Sequence, residues 1–173
     1  LSDALKSAEE MLEDGAASDA AEVFSAVIEE DNQNVKAYSG LARAKLDLED
    51  IEGAEAVLNG VPADISDSPE IEAVFAKIAL ARQALDVGPL SELEAVVASD
   101  PSNSKARFEY SQALYAAGNI DEALAQLLEL FRRDSDWNDG AAKAQLFTIF
   151  DALEPNDPIV LNGRRKLSSM IFA

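Results

Sequence analysis

Cysteine and histidine are both absent from the 173 residues. Their absence excludes disulfide frameworks, thiol nucleophiles, thiolate metal sites and CxxC redox centres within this chain. It also excludes Ser-His-Asp and Cys-His relays and any zinc site built on imidazole. Glycine (8), proline (6) and aromatics (6%) are scarce, whereas hydrophobic residues reach 48%. With alanine abundant, that balance favours closely packed helices over strands. No apolar run approaches the roughly 18–20 residues of a membrane span. No basic-then-apolar leader is recognised, so no signal peptide is expected. The first residue is Leu1 rather than Met, which leads to the expectation of a processed chain or a piece of a longer protein. Basic residues are few: 14 Lys and Arg stand against 33 Asp and Glu, a net charge of −19. Phosphate backbones and anionic membrane surfaces would be repelled, so neither nucleic acid nor membrane is expected as a partner.

What is present is periodic. Residues 2–14 predict a helix with Ala4, Leu5, Ala8, Met11 and Leu12 on one face, Ser2 as its cap and Gly15 after its end. Residues 18–30 predict a second, with Ala20, Val23, Phe24, Val27 and Ile28 inward and Ser18 as N-cap. The connection is short, so the two are expected to be antiparallel neighbours. The pattern returns about 34 residues later: 35–48 carries Tyr38, Leu41, Ala42 and Leu46, and 51–59 carries Ile51, Ala54, Val57 and Leu58. The clearest copy is 104–133, with Ala106, Tyr110, Ser111 and Leu114 before Gly118, then Ile120, Ala123, Leu127 and Leu130. Small residues at 8, 42 and 111, and at 20, 54 and 123, mark where paired helices approach closely.

Residues 69–99 are less regular. Ser68-Pro69-Glu70 opens a helix expected to run to about Leu85. Gly88-Pro89 breaks it, a shorter helix runs to about Ala98, and Asp100-Pro101 closes the unit. Lys77 stands where a small residue is expected. After residue 137, helices are predicted at about 139–153 and 158–171, separated by Pro155 and Pro158. Asp157 is expected to cap the last one, with Pro158 at its first position. A terminal helix of this kind covers the open end of a stack. Trp137 is expected to pack at the junction that precedes it.

A period near 34 residues resembles that of tetratricopeptide repeats. The expected fold is all-α: an α-α superhelix, tetratricopeptide-like, in a single domain over 1–173. Its units would be about 1–34, 35–68, 69–103 and 104–137, with capping helices at about 139–153 and 158–172. The four helix pairs, the degenerate third pair and the ending Asp157-Pro158 … Gly163-Arg164-Arg165-Lys166-Leu167-Ser168-Ser169-Met170-Ile171-Phe172 look like the C-terminal half of YbbN/CnoX-type proteins. Those are bacterial co-chaperones with an N-terminal thioredoxin domain and a C-terminal tetratricopeptide domain. The resemblance covers essentially the whole chain. It implies a non-enzymatic, cytoplasmic module that binds unfolded clients, a chaperonin or both, beside a thioredoxin domain outside this sequence. The alternative is a tetratricopeptide adaptor in envelope or cytochrome assembly.

In tetratricopeptide stacks the first helix of each pair lines a concave groove. Carrying over those positions gives Leu5, Glu9 and Leu12, then Lys36, Ser39 and Arg43, then Lys105, Phe108, Gln112 and Tyr115. Lys36 and Arg43 fall short of a full carboxylate clamp, so EEVD-type C-terminal peptides are not expected in this groove. A second candidate surface is the last helix. Residues 158–173 hold Arg164, Arg165 and Lys166 and no acid, a local reversal of charge. Leu167, Met170, Ile171 and Phe172 accompany them. The tail can act as a cap, as a docking helix, or as both.

Acidity is concentrated at the start: residues 1–70 carry a net −14 and residues 71–173 a net −5. Glu9-Glu10, Glu29-Glu30-Asp31 and Glu49-Asp50 read as solvated helix surface. Asp31-Asn32-Gln33-Asn34 lacks the glycine and bidentate glutamate of a calcium loop. No catalytic residue, cofactor or metal site is assigned. A carboxylate-dependent hydrolase would require a pocket of converging acids with perturbed pKa values.

Overall fold

The computed structural model describes residues 1–172. Among them are ten α-helices and two short 3-10 turns, with no strand. The chain divides into two compact units, Leu1–Ala79 and a second that begins at Leu80.

The first unit holds α1 (Ser2–Glu13), α2 (Ala17–Glu30), α3 (Val35–Asp47), α4 (Ile51–Asn59), a 3-10 turn at Ala63–Ile65 and most of α5 (Pro69–Leu85). Side-chain caps start two of these helices. Asn34 accepts a hydrogen bond from Ala37 N at 3.0 Å, and Asp50 accepts one from Gly53 N at 2.8 Å. Each satisfies a backbone donor that the helix leaves unpaired. The expected serine caps are not used. Helix α1 begins at Ser2 itself and α2 at Ala17, neither with a side-chain cap bond. Ala17 is buried, so the helix has begun one residue before Ser18, which lies exposed in its first turn.

Turns between paired helices share one design. Gly15 (φ +83°) and Glu49 (φ +60°) are left-handed in this unit, and Gly118 (φ +84°) in the other. The next N–H bonds back five residues in each case: Ala16 to Met11 O, Asp50 to Lys45 O and Asn119 to Leu114 O, at 2.8, 2.9 and 2.9 Å. This helix-ending motif satisfies carbonyls that would otherwise be orphaned.

The small residues of the repeat do what their spacing predicts. Ala8, Ala20, Ala42 and Ala54 are buried, and the first two join Phe24, Val27 and Ala37 in one apolar cluster. Tyr38, Ala42, Ala54, Leu58, Val61, Ile71, Val74 and Ile78 form the other. Gly40 allows a close approach of α2 to α3: a Cβ there would collide with the Phe24 ring.

The second unit contains the end of α5, α6 (Leu90–Ser99), α7 (Ser104–Ala116), α8 (Ile120–Arg133), a 3-10 turn at Trp137–Asp139, α9 (Ala141–Ala152) and α10 (Pro158–Ile171). Asn103 caps α7 through Ala106 N at 3.0 Å, 69 residues after Asn34 does the same for α3. Asp157 caps α10 by accepting from Ile159 N at 2.9 Å, with Pro158 in the first turn, as expected. Its core joins Val97, Ala106, Tyr110, Leu114 and Ala123. Leu127, Leu130, Leu146, Ile149, Phe150 and Val160 are also fully buried in this unit. Gln83 and Gln145 exchange two amide hydrogen bonds at 3.1 and 2.6 Å, so the buried Gln145 amide is paired at both ends. Such reciprocity removes the penalty of burying it.

Candidate functional site

The groove positions of the first unit lie on α1 and α3. Lys36 is exposed, but Ser39 is buried, so little of it is left for a ligand to touch. Arg43 forms a two-pronged ion pair with Glu9, Nη1 donating to Oε2 at 3.0 Å and Nη2 to Oε1. The pair joins α1 to α3 across 34 positions, one repeat. A guanidinium already matched to a carboxylate in this planar geometry has less to offer an acidic ligand. Leu5 and Leu12 are half-buried against the apolar cluster of α1–α3.

In the second unit, Lys105, Phe108, Gln112 and Tyr115 follow one another along α7. Lys105 is exposed and lies 3.9 Å from Glu109, a loose pair of i,i+4 spacing. Phe108 is half-buried, its ring 5.3 Å from that of Trp137 at 51°. Trp137 is thus the packing residue its position suggested, and it covers one face of a groove position. The turn that presents it is strained: Asn138, Asp139 and Gly140 all have positive φ (48°, 57° and 80°). Gln112 and Tyr115 are half-buried, and burial pushes the Tyr115 phenol up from its ordinary range.

Along α10 the tail residues separate by face, as helical spacing requires. Val160, Gly163 and Leu167 are buried, and Met170 is half-buried. Gly163 is small for a reason: a Cβ there would lie 2.6 Å from the Phe150 ring. Arg164 lies over two aromatic faces, 5.0 Å from the Phe150 centroid and 5.7 Å from that of Phe147. It therefore pins α10 to α9 through cation–π contact. Arg165 and Lys166 are exposed, as are Ile171 (41%) and Phe172 (84%). Leu161 on α10 and Phe147 on α9 are also exposed apolar residues. Sequence reasoning missed both, although Leu161 precedes Arg165, Ser168 and Phe172 at helical spacing.

Among the described residues no group of acids is arranged to hold a metal ion, and no helix is long and apolar enough to cross a membrane.

A tetratricopeptide-repeat model matches residues 83–172, more than half of the sequence, and a second tetratricopeptide-repeat model matches residues 11–78. The chain belongs to the tetratricopeptide repeat family. Such repeats are generally non-enzymatic protein-interaction modules, and this chain has the scaffold of a tetratricopeptide protein-interaction domain. An uncharacterized protein of Haemophilus influenzae is 28% identical over 131 residues. That match covers 76% of this chain but only 59% of the relative. A domain of unknown function from Vibrio parahaemolyticus has 25% identity, 98% coverage of both chains and a TM-score of 0.44. A thermophilic tetratricopeptide protein from Thermus thermophilus has 17% identity, 99% coverage of both and a TM-score of 0.47.

Proposed function

We propose that this chain is the interaction domain of a cytoplasmic thioredoxin-linked co-chaperone of the YbbN/CnoX type, holding unfolded client segments and docking on a chaperonin. The supporting observation is the tip of α10: Ile171 and Phe172 are exposed apolar residues at the end of a helix that carries Arg165 and Lys166 and no acid, in a chain of −19. Leaving water for a partner's apolar groove, each of the two supplies affinity, roughly 1.5–3 kcal/mol when fully buried. The exposed cations contribute to orientation and association rate, effects that weaken with salt. Client-holding surfaces are assigned to each unit separately: Lys36, with Arg43 contributing through its carbon chain, in the first, and Lys105, Phe108, Gln112 and Tyr115 in the second.

The test separates docking from capping. Leu167 is only 3% exposed and belongs to the core, so a cut before it would damage the fold. Removing 171–173 leaves the buried face of α10 in place. The shortened protein should keep its circular dichroism spectrum and melting temperature while its binding to purified chaperonin weakens at least tenfold. Undiminished chaperonin binding would overturn the assignment of the tip. If the intact domain has no chaperonin affinity at all, a tetratricopeptide adaptor for envelope or cytochrome assembly becomes the better reading.

A further inference from the structure

The cavity between the start of α7 and the end of α8 uses none of the groove or tail residues. It has a volume of about 270 Å³ and is lined by Pro101, Ser104, Arg107, Leu130, Arg133 and Asp134 among others. Arg107 is its unusual member. It is only 7% exposed, yet its hydrogen bonds go to neutral acceptors, Gln126 Oε1 at 2.5 Å and Pro101 O at 2.9 Å. A buried guanidinium ordinarily faces a carboxylate. The neighbouring acid, Glu129, accepts hydrogen bonds from Arg132 and Arg133 instead. Burial first, and then the charge of Arg133, push Arg107 below its ordinary range.

The other unit shows what the fold itself needs at this position. Sixty-nine residues earlier, where Asn34 matches Asn103 as helix cap, Arg107 is matched by Tyr38. The Tyr38 hydroxyl donates to Asn32 O at 3.3 Å, the same reach back to the capping loop that Arg107 makes to Pro101 O. One neutral donor performs that structural task. A guanidinium adds a positive charge and further N–H donors that the turn does not require, beside a cavity and a second arginine.

We propose that this cavity receives a carboxylate of a partner polypeptide, held between Arg107 and Arg133 with its aliphatic stem against Leu130 and Pro101. A planar carboxylate matches guanidinium forks better than a point acceptor does. Asp134 accepts a hydrogen bond from Ser104 Oγ at 2.8 Å, and its charge at the rim weakens the site. An isolated carboxylate is therefore expected to bind only in the millimolar range, becoming significant as one contact within a larger interface. The carboxylate has two sources, an acidic side chain or a chain terminus.

Nitrogen-15 spectra of the 173-residue protein follow the guanidinium N–H signals of Arg107 and Arg133 during titration. The probes are N-acetyl-glutamate α-amide for a side-chain acid, N-acetyl-alanine for a terminal acid, and N-acetyl-glutamine amide as the neutral control. Saturable shifts with an acid and none with the control are expected, and the acid that saturates first identifies the source. Arg107→Tyr copies the other unit, keeping a donor for the loop while removing the charge, and should reduce binding at least tenfold. Absence of saturable shifts with either acid, equal shifts with the neutral amide, or unchanged affinity in folded Arg107→Tyr would each overturn the proposal. If that variant does not fold, Arg133→Gln decides in the same way, with a tenfold loss supporting the site and unchanged affinity overturning it.

Discussion

Glu49 adopts the left-handed backbone (φ +60°) that Gly15 and Gly118 adopt at the corresponding turns. In that conformation a Cβ crowds the following carbonyl, at a cost of roughly 1–2 kcal/mol for an ordinary residue. Glycine avoids the clash but loses more backbone freedom on folding, which offsets part of the gain. Glu49→Gly should therefore stabilise the first unit by about 0.5–1 kcal/mol. A urea midpoint that rises with an unchanged slope would match this, and a midpoint that falls would contradict it. The turn was not visible as a repeat of Gly15, because the residue that marks it elsewhere is missing there. Only the backbone angle and the Asp50 N to Lys45 O bond reveal the equivalence.

At the scale of single elements, α8 carries the clearest electrostatic feature. Glu129 accepts hydrogen bonds from Arg132 and Arg133, three and four positions later, which hold its carboxyl down at about 2 against an ordinary 4.5. A carboxylate depressed in the folded state contributes stability that is fully present above its unfolded value, near 4.5. That contribution is lost as pH falls towards about 2. Because the partners are substantially exposed, solvent screening limits it to less than about 1 kcal/mol. Urea midpoints measured between pH 5 and pH 2 should fall less steeply in Glu129→Gln than in the parent. Parallel profiles would show that the arrangement contributes nothing measurable. The cations at the end of α8 also suit its helix dipole. Helix α10 shows the opposite limit of reading an element alone. Its composition marks Arg164, Arg165 and Lys166 as equivalent, and all three are exposed, yet Arg164 is also held over Phe147 and Phe150.

For the whole molecule the dominant electrostatic quantity is the charge of −19, with the first 70 residues carrying −14. Like charges repel more in the compact state than in the extended one. Raising salt from about 0.01 M to 0.1 M shortens the screening length from about 30 Å to about 10 Å. Partly exposed ion pairs such as Arg43–Glu9 weaken under the same change. Repulsion among 33 acids outweighs them, so the melting temperature should rise by several degrees over that range. A calorimetric scan showing a lower melting temperature in salt would mean that the pairs, not the net charge, dominate.

The sequence by itself determined the helical class, the period and most helix boundaries, because these follow from local rules. Apolar spacing sets the buried face of each helix, and Asn34, Asp50, Asn103 and Asp157 act on backbone groups only two or three residues away. Small residues at 8, 42 and 111 and at 20, 54 and 123 announced close approach before any partner was known, whereas the tight contacts at Gly40 and Gly163 appeared only in the structure. The tertiary structure decided which candidate side chains remain available. Ser39 and Leu167 are buried, Arg43 meets Glu9, Phe108 meets Trp137, and Arg164 meets two phenylalanines. It also showed Arg107 to be a buried cation among neutral acceptors. Each of those outcomes depends on a neighbour from another helix or turn, and periodicity within one helix carries no information about what another element places opposite it.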